Sequence, residues 1–141
     1  MSVYVVDASV VTKWFIPEVD SAAAQRLLDQ DHTYFAPDLL FAELANTTWK
    51  KVRAGHLSPA QGERLMADFG AIAVETIPCR ALARDAHSLA VSTGRSAYDA
   101  LYVALAMRLD TQMITADERL ANALCAIPAL SAHIASLQHF R

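Results

Sequence analysis

Ser2-Val3-Tyr4-Val5-Val6-Asp7 is the stretch that decides the fold. Val3 to Val6 is a continuous β-prone run, which predicts a strand buried on both faces, as in a parallel sheet. A carboxylate stands directly at its end. No basic leader precedes the run, and Asp7 interrupts it before the core of an export signal could form, so the chain is expected to stay in the cytoplasm.

Working outward from this strand, helical and strand patterns alternate. Ser9 to Phe15 reads as a short helix stopped near Pro17, followed by a helix from Ser21 to about Asp31. Thr33 to Ala36 is a second strand, ended by Pro37. A long helix is expected from about Asp38 to Arg53, with Gly55 as its stop. Ser58-Pro59-Ala60-Gln61 combines a capping serine, a first-turn proline and a capping-box glutamine, which starts a helix reaching Gly70. Ala73 to Ile77 is a short strand, Arg80 to Thr93 a helix closed by Gly94, and Ser96 to about Asp110 another. Gln112 to Thr115 is the fourth strand, Asp117 to about Cys125 a helix, and His133 to Leu137 a weakly patterned fifth strand. This alternation predicts a mostly parallel sheet of four to five strands with helices on both faces. Ligands in such sheets collect beyond the carboxyl ends of the strands, where strand order reverses. The places to inspect are therefore just after Val6 and just after Ile114.

Composition narrows the function. With 141 residues and neither a linker nor a repeat, residues 1–141 read as one domain able to bury its own core. The chain is 54% hydrophobic and 19% charged, which argues against disorder. No apolar run reaches membrane-spanning length. The formal charge of −3 excludes a protein that grips nucleic acid by bulk positive charge. Cys79 and Cys125 have no metal-ligand spacing and are expected to be buried, reduced thiols. The histidines form no ligand-spaced pair, which disfavours zinc.

Four acids stand out. Asp7 and Asp117 fall at the carboxyl edge of the sheet. Each also has a structural reading as a helix cap, and Thr115 with Glu118 fits a capping box. Asp99 lies in Ser96-Ala97-Tyr98-Asp99-Ala100-Leu101-Tyr102-Val103-Ala104-Leu105-Ala106-Met107, a helix apolar nearly all round. A charge there is costly unless paired or coordinated; the competing reading is a first-turn role behind a Ser96 cap. Glu43 repeats the pattern within Leu39-Leu40-Phe41-Ala42-Glu43-Leu44-Ala45-Asn46. No basic residue lies within four positions of it, and Asn46 shares its face. Should the four acids converge, two carboxylates ~4 Å apart would repel by about 4 kcal/mol at an effective dielectric of 20. A hard divalent cation relieves that repulsion, and such an ion can catalyse phosphodiester hydrolysis.

These segments resemble the PIN-domain nucleases, and among them the VapC-type toxins of bacterial and archaeal toxin–antitoxin pairs. The resemblance runs through Val5-Val6-Asp7-Ala8-Ser9-Val10-Val11, Trp14-Phe15, Ala36-Pro37-Asp38 to Asn46, Ser96 to Ala106 and Thr115-Ala116-Asp117-Glu118, and becomes loose from Ile127 onward. It implies a three-layer α/β/α fold. It assigns an acidic site to Asp7, Glu43, Asp99 and Asp117, with Mg2+ or Mn2+ as cofactor. Ser9 and Thr115 match assisting hydroxyl positions, and Asn46 is a further assisting candidate. The resemblance also implies an RNA substrate, a homodimer and a cognate antitoxin, hence a divalent-metal-dependent endoribonuclease of a type II pair.

Rival functions fit less well. A phospho-acceptor domain normally needs an adjacent acidic pair after its first strand, where Val6-Asp7-Ala8 supplies one acid. Asp7-Ala8-Ser9 also lacks the second aspartate of a haloacid-dehalogenase-type phosphatase. A catalytically silent binding scaffold would have no need of all four acids. Lys50, Lys51 and Arg53, and likewise Arg80, Arg84 and Arg95, read as solvated charges with RNA or partner contact as the sharper alternative. Trp14, Phe15, Trp49 and Phe69 read as core or dimer-contact residues before base-stacking platforms.

Overall fold

In the computed structural model, which describes residues 2–140, five parallel strands form one sheet in the order β3-β2-β1-β4-β5. The strands are β1 (Ser2–Val6), β2 (His32–Pro37), β3 (Val74–Ile77), β4 (Met113–Thr115) and β5 (Ile134–Ser136). Seven helices flank them: α1 (Ala8–Phe15), α2 (Ser21–Leu28), α3 (Leu39–Arg53), α4 (Pro59–Gly70), α5 (Cys79–Thr93), α6 (Ala97–Arg108) and α7 (Glu118–Cys125). The expected α/β architecture holds, and the sheet is parallel throughout. The chain builds from β1 outward through β2 to β3, then returns to place β4 on the other side of β1. Strand order therefore reverses between β1 and β4, whose register pairs Val5 with Met113 and Val6 with Ile114.

The burial expected of β1 holds only for its second half. Val5 and Val6 are fully buried, whereas Ser2 and Val3 at its start are exposed. Each of those valines contributes roughly 1.5–3 kcal/mol of burial, which anchors the end that carries Asp7. Helix α6 is buried continuously from Ala100 to Ala106 and packs on β1, β2 and β4. That explains its lack of a polar stripe: it is a central helix covered by α5 on its outer side. Helices α1 and α3 pack on each other and contact β4 and β2 respectively.

Differences from the sequence expectations are local. Helix α2 stops at Leu28, three residues short of Asp31, and β2 begins at His32. Helix α6 ends at Arg108, before Asp110 adopts the left-handed conformation (φ 49°). The weak fifth strand is real but short, bounded by single 3-10 turns. Cys125 is exposed and Cys79 half-buried, so the expectation of two buried thiols is corrected; both are free. Trp14 and Phe69 are core residues, while Phe15 and Trp49 are exposed, Trp49 stacked beneath Arg53 at 4.4 Å. The capping box at Ser58 and Gln61 forms as read. Among the described residues no helix is long and apolar enough to cross a membrane.

Candidate active site

Asp7 leaves the end of β1 with extended backbone and caps α1, its Oδ1 accepting from the Val10 amide at 3.2 Å. The structural reading of Asp7 therefore holds, but it accounts for only one contact. Ser9 Oγ donates to the same Oδ1 at 2.5 Å, and Thr115 Oγ1 donates to Oδ2 at 2.5 Å from the end of β4. Adjacent carboxyl ends of β1 and β4 make that meeting possible across 108 residues of sequence. The network continues outward. Ser9 Oγ accepts from the Ala116 amide, which ties the loop after β4 to the first turn of α1, and Thr115 Oγ1 accepts from the Asp117 amide within that loop. Asp7 is buried, and the burial raises its carboxyl above the ordinary value while the hydroxyl and amide donors pull it down. Hydrogen bonds to a charged group are worth roughly 1.5–3 kcal/mol each, enough to offset much of the desolvation but not to neutralise the charge.

Asp117 caps α7, its Oδ1 accepting from the Leu120 amide at 3.2 Å, and its side chain stays exposed. The Thr115–Glu118 capping box is not what forms: Thr115 turns inward to Asp7 and Asp117 takes the cap. Asp99 sits in the first turn of α6, where Ser96 caps its amide. Its carboxylate faces Arg95 at 3.7 Å, one turn back. Arg95 is thus not a freely solvated charge, and its Nε is buried without a hydrogen-bond partner. Glu43, half-buried on the second turn of α3, accepts from the Tyr102 hydroxyl of α6 at 2.5 Å. Asn46 is exposed one turn further along α3.

Electrostatics tie the four acids together. Burial raises the Glu43 carboxyl, the negative charges of Asp7 and Asp99 raise it further, and the Tyr102 hydrogen bond opposes them. Burial also raises Asp99, Asp117 adds to the rise, and Arg95 opposes it. The phenol of Tyr102 is pushed well up by burial and by the Glu43 charge, so it remains a donor. The structure thus links the four acids in a chain, Asp7 with Glu43, Glu43 with Asp99 and Asp99 with Asp117, near the point where strand order reverses. Among the described residues only Asp99 of the four has a cation within 4.0 Å. No set of three acid, histidine or cysteine side chains there closes on a single point tightly enough to grip an ion alone. The donors are all oxygens, from carboxylates and hydroxyls. That chemistry fits a hard divalent cation, and magnesium in particular takes only one or two protein carboxylates and completes its shell with water and substrate.

Glu43→Gln keeps an acceptor for Tyr102 while removing a charge that Asp7 and Asp99 disfavour. Because the native carboxyl is raised above its ordinary value of 4.5, the native state binds the proton more tightly than the unfolded chain. Stability is then lost as pH rises through the interval between the two, and the loss is complete at neutral pH. Glu43→Gln should raise the melting temperature in chelator at pH 7 by a few degrees and change it little below pH 4. Thermal melts at both pH values check this, and no gain at pH 7 would show that Glu43 does not feel its neighbours.

Four side-chain contacts were not anticipated from the sequence. The Arg95–Asp99 pair was detectable from its i,i+4 spacing. The Tyr102–Glu43 contact had no local signal, since 59 residues separate the partners. Nor did the pairing of Glu18 with Lys13 of α1 (3.3 Å) and Lys51 of α3 (2.8 Å).

Comparison with known proteins agrees with this architecture. Residues 4–123 match the PIN domain. Ribonuclease VapC3 of Pyrobaculum aerophilum is 34% identical over 122 residues, covering 84% of this chain and 92% of the relative. A crystal structure from the same organism superimposes with a TM-score of 0.68 at 20% identity, over 98% of this chain and 93% of that one. VapBC2 from Rickettsia felis, bound to a DNA fragment from its promoter, superimposes with a TM-score of 0.64 at 15% identity, over 95% and 98% of the two chains. The solved structures share the fold; the sequence match, spread over most of both chains, carries the kinship. On that evidence the chain belongs to the PIN-domain family.

Proposed function

We propose that this chain is a divalent-metal-dependent endoribonuclease and the toxin of a type II toxin–antitoxin pair. The observation that carries the reading is the buried Asp7 carboxylate at the β1–β4 crossing, with Glu43 and Asp99 raised by burial and by their acidic neighbours. Such an arrangement is costly for folding alone and useful around a cation. The kinship with a protein named as a ribonuclease supports RNA as the substrate. The solved relatives that are VapBC complexes support a cognate antitoxin.

In this reading Asp7 and Asp99 are the principal ligands, and Glu43 and Asp117 complete the site. When bound, magnesium or manganese supplies positive charge at the scissile phosphate and eases deprotonation of the attacking water. The protein's own groups do the rest. Ser9 and Thr115 fix both oxygens of Asp7, so the carboxylate cannot rotate away. Tyr102 holds Glu43 by Oε1 and leaves its other oxygen able to orient the water and accept its proton. Water adds to phosphorus, the phosphorus–oxygen ester bond breaks, and the departing oxygen takes a proton from solvent. Asn46, exposed next to Glu43, serves as an outer hydrogen-bonding group to the substrate. Residues 1–141 act as one domain, and a homodimer is the expected assembly.

The test is cleavage of a mixed single-stranded RNA by purified protein with MgCl2 or MnCl2 and with chelator. Cleavage only with the divalent ion supports the reading; equal cleavage in chelator, or none under any condition, overturns it. The raised carboxyls add a pH prediction. Protons compete with the cation for Glu43 and Asp99, so cleavage falls as pH falls. At low metal its midpoint lies above the ordinary carboxylate range, and it moves lower as metal is added. A pH–rate profile at two metal concentrations checks this; a midpoint indifferent to metal would contradict it.

A further inference from the structure

Beside the acidic site, between α1, α3 and the loop after β4, lies an open cleft of about 350 Å³. Ser9, Thr12 and Lys13 line it from α1, Thr47 and Lys51 from α3, and Asp117 from the loop after β4. It shares Ser9 and Asp117 with the candidate site, and its remaining charged lining is Lys13, Lys51 and Glu18. Lys13 and Lys51 lie 38 positions apart in sequence on two packed helices, yet both ammonium groups converge on one carboxylate, that of Glu18. Lys13 holds Oε2 and Lys51 holds Oε1, a bracket of one cation per oxygen. The lysine side chains are only 14% and 22% exposed, so their stems are fixed against the helices. Glu18 belongs to the irregular loop between α1 and α2, tied locally by its amide to Ser21 Oγ.

We propose that Lys13 and Lys51 form a subsite for a phosphate of single-stranded RNA next to the scissile bond, and that Glu18 occupies it until RNA displaces it. A phosphodiester, like a carboxylate, carries one negative charge and offers two free oxygens, so the exchange leaves the cleft's charge unchanged. The rigid helices hold the cations, while the displaced group sits on a loop. The need is evident from the charge balance. At a net charge of −3 with four acids at the site, RNA has to find local cations to offset phosphate repulsion. A single strand lying over Asp117 meets these two lysines in the same cleft. The subsite deepens the nuclease reading and rests on it for the identity of the ligand.

The two sides of the bracket predict effects of opposite sign. Binding of a fluorescent single-stranded RNA is measured in chelator across a range of salt, separately from cleavage. Lys13→Ala and Lys51→Ala should each weaken binding by about 5–10-fold, and the double variant should flatten the log–log salt slope by roughly 0.7. Lys51→Arg should bind nearly as the parent does. Glu18→Gln should tighten binding by about 5-fold, because the competing carboxylate charge is gone. In cleavage assays the lysine variants should raise KM more than they lower kcat. Were the lysines there only to pin the loop, Glu18→Gln and the lysine variants would move binding in the same direction, and that result overturns the proposal. An unchanged salt slope in the double variant overturns it too, as does lysine-dependent binding of a poly-glutamate peptide with no effect on RNA. Failure of cleavage with a lysine-dependent salt slope intact would remove the nuclease reading and leave the subsite. Metal-dependent cleavage with an unchanged slope would do the reverse.

Discussion

Asp7→Asn and Asp99→Asn are each expected to lower divalent-dependent RNA cleavage by more than about 100-fold while the variant protein stays folded. The magnitude follows from position. Disturbing residues that merely orient a metal ligand typically costs 10–100-fold, so removing a proposed principal ligand should exceed the upper end of that range. Asn keeps the volume and one acceptor oxygen. At position 7 it can still receive Val10 and one of the two hydroxyls, so the cap of α1 survives. At position 99 the Ser96 cap engages the backbone amide and is untouched. Circular dichroism would confirm folding, and isothermal titration with Mn2+ would show the weakened ion binding that accompanies the lost activity. Undiminished cleavage in both variants would remove the proposed mechanism. The Arg95 contact gives an internal check: losing the Asp99 charge frees an arginine, so the effect on activity cannot be read as a newly unpaired acid.

Leu105→Ala addresses the same helix from the other side. Leu105 is fully buried in α6, the helix that carries Asp99 and Tyr102 and packs across β1, β2 and β4. Truncating a buried leucine removes its transfer energy and leaves a cavity, at a cost of roughly 2–5 kcal/mol. Set against a typical domain stability of about 5–15 kcal/mol, that is a large fraction of the whole. Chemical denaturation should show a midpoint lowered accordingly, with the slope unchanged. Cleavage measured well below the melting temperature should remain within a few-fold of the parent, in contrast to Asp99→Asn. A midpoint unchanged by this truncation would mean that α6 is not the central packing element described above.

The two variants separate what the site requires from what the fold requires, and the separation reflects a tension within the molecule. Asp7 is buried among fully buried neighbours Val5, Val6 and Ile114, where a hydrophobic residue would cost less. Local structure explains part of its presence through the helix cap, but a serine would serve there as well. Asp117 caps α7 and Asp99 pairs with Arg95, yet the mutual repulsion that raises Glu43 and Asp99 works against folding. Sites that violate the packing rules of their surroundings are where function is expected.

Much of this was legible in the chain itself. The Val3–Val6 run, the all-apolar helix from Ser96 and the turn residues between segments set the order of strands and helices, because periodicity and capping are local properties. The alternation predicted a parallel sheet with ligands beyond its carboxyl edge, and that pointed to Asp7 and Asp117. Glu43 and Asp99 declared themselves as isolated charges in apolar helices. What local pattern could not show was pairing between distant side chains. Thr115 was marked by a family likeness and not by spacing, and its hydrogen bond to Asp7 depends on β4 lying directly beside β1. The Tyr102–Glu43 contact depends on how α6 sits against α3.

The order of the elements and the candidacy of the four acids were thus legible in the sequence alone, since hydrophobic period, caps and unpaired charges are written within a few residues of one another. Only the tertiary structure decided which oxygens face each other, that Asp117 rather than Thr115 caps α7, and that two lysines from separate helices close on Glu18. Those outcomes turn on distances between parts of the chain brought together by packing, and no local pattern encodes them.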